Sequence, residues 1–357
     1  MFVAIARLAR VAALLLSTTP PPRCAPLHCT AVDEDALLEA FLGEPHPRVD
    51  AAQLSVDVPV EERKCSILSD STLEAARDVL SAYGVVCLRG VWQAEPSLVS
   101  SLVDGLVDNY DECIKLVGSR AGLTAADSFG YKQIVDRSYG RYDMLLEDDI
   151  AAKPLQSTLL DSVLGEADGK TRTTQHWRHQ LLSSLLGSDF KVEFTAALLA
   201  QSGCHPQDPH ADGAHPKEQP SAAEAASLLP PHAVQLFLPL CKMTYNTGPT
   251  EFWPTSHLPS NAPFASLLPS VPLEANPGDA IIFDFRVVHR GTPNTSGKWR
   301  PILYQTVTQS WFVDDFNFPA KSLLNEAADE AEGDEVAWEQ RKGAGLRRER
   351  SGFVSES

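Results

Sequence analysis

Between residues 191 and 308 the chain repeats one pattern, a short apolar run rich in β-branched and aromatic residues followed by a turn signal. The runs at 192–200, 234–240, 280–285 and 302–308 have strand length, and Asn246-Thr247-Gly248-Pro249 and Asn276-Pro277-Gly278-Asp279 separate two of them. Many short strands leave many edges with unpaired backbone groups. Proteins hide such edges by closing the sheet into a sandwich or barrel. This pattern constrains the fold more than any other feature of the chain.

The preceding part reads as helical. Ser71-Thr72-Leu73-Glu74 has the form of a capping box, and Leu73, Ala76, Leu80 and Tyr83 share one helical face that Gly84 closes. Residues 85–88 form a short apolar strand in which Cys87 is a buried free thiol. Pro96 opens a second helix with the stripe Leu98, Leu102, Leu106, Tyr110, Cys113 and Val117, and Gly118 ends it. Residues 119–187 are mixed, with helices expected near 155–164 and 177–186. Helices first and strands later define an α+β chain, with a helical part at 70–187 and an antiparallel β core at 191–312.

Segments outside that core differ in composition. Arg7, Arg10 and Arg23 precede the first acid, Asp33, so residues 1–32 read as a targeting leader, either a secretory signal or an organelle transit peptide. A soluble organellar protein is the expected destination, with the secretory pathway or the cytoplasm as alternatives. The apolar stretch 11–16 is too short to span a bilayer. The Ala- and Pro-rich insertion at 216–231 reads as a mobile loop, and 325–357 as a charged, disordered tail. A net charge of −17 argues against a nucleic-acid partner, because phosphate contacts need clustered Lys and Arg. Seven cysteines, none spaced Cys-x-x-Cys, argue against a zinc knuckle or a dense disulfide framework. Oligomeric state is not legible.

The chemistry sits in three places. His210 and Asp212 are two apart, so on a strand they point to one face and can share an ion. His289 follows the strand at 280–285 and can add a third ligand from a neighbouring strand. Two imidazoles and one carboxylate form the facial triad of non-haem Fe(II) oxygenases, which leaves positions open for a bidentate keto acid and O₂. Arg300 opens the next strand, and a hairpin return would bring it beside the metal. A guanidinium there suits the far carboxylate of a dicarboxylic keto acid, because it pairs bidentately and stays charged when desolvated.

In order and spacing the chain resembles the phytanoyl-CoA dioxygenase family. The resemblance covers roughly residues 71–324 and rests on His210-Ala211-Asp212, on Gly248-Pro249-Thr250-Glu251-Phe252-Trp253-Pro254-Thr255-Ser256-His257, on Pro277-Gly278-Asp279, and on His289-Arg290-Gly291 through Arg300-Pro301. It implies a double-stranded β-helix (a jelly roll, as in cupins) with flanking helices. It also implies Fe(II) on His210, Asp212 and His289, and 2-oxoglutarate on Arg300. The activity implied is oxygenation of a small organic or lipid-like molecule, releasing succinate and CO₂, with ascorbate to maintain the iron. Asp212 stands where halogenating relatives have a small residue, which favours oxygenation.

Gly291 departs from the pattern, since some members carry a hydroxyl two residues after the distal histidine. Phe237 occupies the place of a pocket aromatic, and Gln235 should share its inward face; both are candidate co-substrate contacts. His205, His215 and His257 read as loop or packing histidines, Arg141-Tyr142-Asp143 as a structural ion pair in preference to residues reaching the site mouth, and Trp311, Phe312, Phe316 and Phe318 as packing over the outside of the barrel. Two rival readings remain, a cupin-like metalloenzyme that uses no oxoglutarate and a non-catalytic binding protein on the same barrel.

Overall fold

Alternation of side chains builds the centre of this protein. In the computed structural model residues 38, 41–43, 46, 48–164, 176–213, 230–314 and 317–324 are described. The chain divides into two units, Met1–Gly43 and Glu44–Ser357, and every element named here lies in the second. The leader at 1–32 and the tail at 325–357 fall outside the described residues, as does the insertion apart from Pro230 and Pro231.

Nine strands form the larger sheet. In chain order they are β1 (Ser55–Asp57), β2 (Val85–Arg89), β3 (Gly130–Tyr131), β4 (Ile134–Ser138), β5 (Arg141–Leu145), β6 (Lys191–Ala200), β7 (Ala233–Pro239), β10 (Ala280–Asp284) and β12 (Arg300–Thr308). Across the sheet the order is β1-β2-β10-β7-β12-β6-β5-β4-β3, antiparallel except for the parallel β1–β2 pair. The smaller sheet holds β8 (Thr250–Phe252), β9 (Val271–Leu273) and β11 (His289–Gly291) in the order β11-β8-β9. Mixed helices and two antiparallel layers make this an α+β fold with a jelly-roll core.

Both faces of the large sheet are covered, which is why its strands read as continuous apolar runs rather than alternating ones. Val86, Leu88, Leu199, Leu236, Ile282 and Leu303 pack against the helices. Their neighbours Val85, Cys87, Phe237, Ile281, Phe283, Ile302 and Tyr304 join Phe252, Val271 and Leu273 of the small sheet in a second core. Burial pushes the Cys87 thiol up to about 12, so it behaves as an apolar filler.

The helices are α1 (Val60–Cys65), α2 (Asp70–Tyr83), α3 (Pro96–Ala121), α4 (Ser157–Leu164) and α5 (Trp177–Leu186). The cap of α2 is not the expected box at Ser71. Ser69, in extended conformation, accepts the Thr72 N–H at 3.3 Å, and Asp70 then places its charge in the first turn, where the helix dipole favours an anion. Helix α3 buries the expected stripe Leu102, Leu106, Tyr110, Cys113 and Val117 but runs past Gly118. It stops at Gly122, whose φ of 68° is the left-handed cap geometry.

Strands β3–β5 are the main addition to the sequence reading, since they extend the large sheet through a stretch expected to be helical or irregular. Asp136, Arg137, Ser138, Arg141 and Asp143 break up the apolar runs there. Those polar residues are accommodated by pairing inside the fold: Arg137 binds Asp143 at 2.7 Å.

Candidate metal centre

The segment leading to Asp212 acts as a fourth member of the small sheet. His210 and His289 exchange both backbone hydrogen bonds, His210 N–H to His289 O at 3.0 Å and the reverse at 2.8 Å. Such directly opposed residues present their side chains on one face. The imidazole centroids therefore lie 4.6 Å apart.

Each imidazole is oriented through its far nitrogen. The Nδ1–H of His210 donates to the Asp208 carbonyl at 2.8 Å, and that of His289 donates to the Val287 carbonyl at 3.1 Å. Both Nε2 lone pairs are thereby directed at Asp212 Oδ1, at 3.9 Å from His210 and 3.7 Å from His289. One ligand atom from each of the three residues lies within 4.8 Å of the others. Burial, and then the neighbouring His289, holds the His210 imidazole down to about 4, so it is in the neutral form a metal requires. Two nitrogens and one oxygen converging from two adjacent segments on one face of the small sheet fit a divalent first-row metal.

Gln235 completes the arrangement. Its Nε2–H donates to Asp212 Oδ2 at 3.1 Å, while its Oε1 accepts the Thr306 hydroxyl at 2.9 Å. The residue expected to touch the co-substrate thus holds the carboxylate ligand in orientation. Phe237 faces inward beside it, edge-on to Phe283 at 4.9 Å and tilted on Tyr304 at 5.5 Å. Further along the same interior, the Tyr304 hydroxyl donates to Asp143 Oδ1 at 2.8 Å, and Arg137 lies over the Phe318 ring. This Arg137–Asp143–Tyr304 group escaped the sequence reading. A strand at 141–145 would have revealed its inward positions by alternation alone.

Arg300 is the first residue of β12 and is 1% exposed. The expected hairpin return is absent: β11 pairs with β8 in the small sheet, whereas β12 lies between β7 and β6 in the large one. The connection crosses between layers, because β11 pairs with β8 and the His210 segment, whereas the partners of β12 are in the opposite sheet. Arg300 still shares the inward face of Ile302 and Tyr304. Its Nη1–H donates to the Gly248 carbonyl at 3.0 Å, and its buried Nε has no partner. Desolvation first, then the nearby Arg141, draws its pKa down to about 9.

Arg141 does not form the expected ion pair. Asp143 takes Arg137 instead, and no carboxylate among the described residues lies within ion-pair reach of Arg141. His257 is a buried packing residue whose Nε2–H donates to the Ser81 carbonyl at 3.2 Å. His205 is an exposed loop residue tilted against Tyr139, with the ring centroids 4.9 Å apart. Phe312 lies on His232 at 4.8 Å, and Trp311 is 64% exposed. Phe318 differs from expectation, since it packs against Phe194 at 5.2 Å, beside the interior core rather than over the outside. His215 and Phe316 lie outside the described residues.

Two histidines and an aspartate converging inside a jelly roll are a ligand set that can hold a metal ion. Residues 134–302 match the model of the phytanoyl-CoA dioxygenase family, and this stretch is a domain of that family. Among solved structures the chain is similar to AviO1 from Streptomyces viridochromogenes Tue57, at 19% identity over 68% of this chain and 96% of that one, with a TM-score of 0.46. It is also similar to the non-heme alpha ketoglutarate dependent epimerase SnoN from nogalamycin biosynthesis, at 17% identity over 74% and 91% of the two chains, with a TM-score of 0.43. The carbocyclase SnoK from the same biosynthesis is 16% identical over 68% and 85%, also with a TM-score of 0.43.

Proposed function

We propose that the protein is a non-haem Fe(II)- and 2-oxoglutarate-dependent oxygenase that hydroxylates a C–H bond of a small organic or lipid-like substrate. The observation that carries this reading is the convergence of His210, Asp212 and His289 within 4.8 Å, inside a domain of the phytanoyl-CoA dioxygenase family. Iron and oxoglutarate, when bound, supply the oxidising chemistry in which one oxygen atom of O₂ enters the substrate as hydroxyl and the other enters succinate, with loss of CO₂.

The chain's own residues supply geometry. His210 and His289 present their Nε2 atoms, each ring oriented by an Nδ1–H to a backbone carbonyl. Asp212 contributes the anionic oxygen, and Gln235 engages the other so that the carboxylate does not rotate. Arg300 receives the far carboxylate of oxoglutarate. Phe237, Phe283 and Tyr304 line an apolar interior that excludes water from the reacting atoms.

Full-length protein given Fe(II), oxoglutarate and O₂ should release succinate, and His210→Ala, Asp212→Ala and His289→Ala should each abolish it. Arg300→Ala should retain iron but lose roughly a few hundredfold in oxoglutarate affinity, because its loss leaves a buried carboxylate unpaired. Normal oxoglutarate binding by that variant would favour the cupin-like metalloenzyme that uses no oxoglutarate.

A further inference from the structure

Arg63 is a cation that the fold leaves without a counter-charge. It lies in the last turn of α1, and the two acids before it are directed elsewhere. Glu61 pairs with Lys64 at 3.1 Å, and Glu62 Oε1 accepts the Thr72 hydroxyl at 3.1 Å. No carboxylate among the described residues is within ion-pair reach of Arg63, and its Nε is buried without a hydrogen-bond partner. An unpaired buried donor is costly, and a guanidinium so placed gains when an anion arrives.

The guanidinium lies over Gly90, just past β2. A Cβ at Gly90 would stand 2.1 Å from Arg63 Nη2 and 2.6 Å from its Cζ, so the guanidinium occupies the space a side chain would take. Both residues line a cavity of about 740 Å³, together with Ser55 and Asp57 of β1, Arg89 of β2 and Asp279 before β10. That volume suits a small molecule. In a chain of net charge −17, an uncompensated arginine in a cavity reverses the prevailing sign locally.

The second cation of the cavity is fixed in place. Arg89 Nη1–H groups donate to Asp279 Oδ2 at 3.2 Å and to the Glu274 carbonyl at 2.7 Å. Its Nε–H and one Nη2–H donate to Ser55 Oγ, at 3.2 Å and 3.0 Å. Asp279 in turn accepts the Gly90 and Asn276 backbone N–H groups, both at 2.8 Å. This neutral pair builds the wall, leaves Arg63 as the uncompensated charge, and keeps one Nη2–H of Arg89 uncommitted among the described residues. Asp57, exposed at the rim, stands opposite Arg89 in the β1–β2 register.

The cavity is separate from the metal centre. His289 packs on Phe283, with the ring centroids 4.7 Å apart, and from Asp279 to Phe283 the chain runs roughly 13 Å along β10.

We propose that this cavity is a second ligand site, binding the phosphate group of a small molecule between Arg63 and Arg89. Guanidiniums on different walls can address different oxygens of a tetrahedral dianion, whereas a planar carboxylate is satisfied by one bidentate fork.

Calorimetric titration of the full-length protein with inorganic phosphate, at an ionic strength held constant with chloride, tests the site. The native protein should bind saturably, in roughly the millimolar range. Arg63→Gln should weaken binding roughly 10- to 100-fold, the range for a lost charge-assisted bond, with Arg63→Lys between. Asp57→Asn should tighten it roughly two- to fivefold, by removing a negative charge from the rim. Arg300→Ala and Asp212→Ala, which alter the barrel interior and the metal centre, should leave phosphate affinity unchanged. Acetate should compete roughly tenfold less well than phosphate, because it fills one fork only.

No saturable binding by the native protein, or native affinity in Arg63→Gln, overturns the site. Affinity lost in Arg300→Ala or Asp212→Ala but kept in Arg63→Gln assigns the anion to the interior and overturns it equally. Acetate competing as well as phosphate overturns the phosphate assignment. Should Arg63→Gln fail to fold, Asp57→Asn carries the test, and unchanged affinity in that variant overturns the proposal.

Discussion

Asp212 has two oxygens, and the structure assigns them different partners. Oδ1 faces both Nε2 atoms, while Oδ2 accepts from Gln235. Gln235→Leu keeps the side chain's bulk and removes that bond, and metal affinity should fall roughly 10- to 100-fold, measured by Fe(II) titration under argon. The inward direction of Gln235 was legible from alternation with Phe237, but its partner was not, because Asp212 reaches it from a different element.

A second residue-scale expectation concerns His257. Burial lowers its pKa in the folded protein. The unfolded chain therefore binds the proton first, near the ordinary histidine pKa of about 6.5. Its contribution to stability is present above that value and is lost as pH falls from there toward the depressed folded value. Urea unfolding at pH 7 and pH 5 should show this loss, and His257→Asn should reduce the difference.

At the scale of elements, local chemistry sets the boundaries to within a turn, and competition between adjacent candidates decides the rest. Ser69 and Ser71 both have the right chemistry to start α2, and the hydrogen bond to Thr72 goes to Ser69. Ser69→Ala should destabilise by about 1 kcal/mol, whereas Ser71→Ala should be near neutral by chemical denaturation. Gly118 was the expected end of α3, and Gly122 is the observed one. Gly118→Ala, inside the helix, should stabilise by up to about 1 kcal/mol, while Gly122→Ala, at φ 68°, should destabilise by a similar amount. Strands β3–β5 were illegible for another reason. Arg141 and Asp143 of β5 are buried, and a buried charge reads as a surface residue until its partner is known: Asp143 needs both Arg137 and Tyr304.

At the scale of the whole molecule, the metal site ties the two sheets together. His289 belongs to the small sheet, while Asp212 is held by Gln235 of the large one, whose amide oxygen in turn accepts from Thr306. A metal that binds only the folded state should therefore raise global stability, by about 2.7 kcal/mol at a free concentration 100 times Kd. Thermal melting with and without Fe(II) should show this upward shift in the native protein and none in Asp212→Ala. By itself the sequence determined the residue types, the two-residue spacing of His210 and Asp212, the later strand runs and the α3 stripe. These are local properties, set by side-chain chemistry and by periods of 2 and 3.6 residues. Tertiary structure alone decided that His289 lies opposite His210, that Gln235 meets Asp212, and that Arg141 and Arg300 flank Ala200. Those pairings depend on register between strands distant in the chain, where a slip of one residue turns every side chain to the other face.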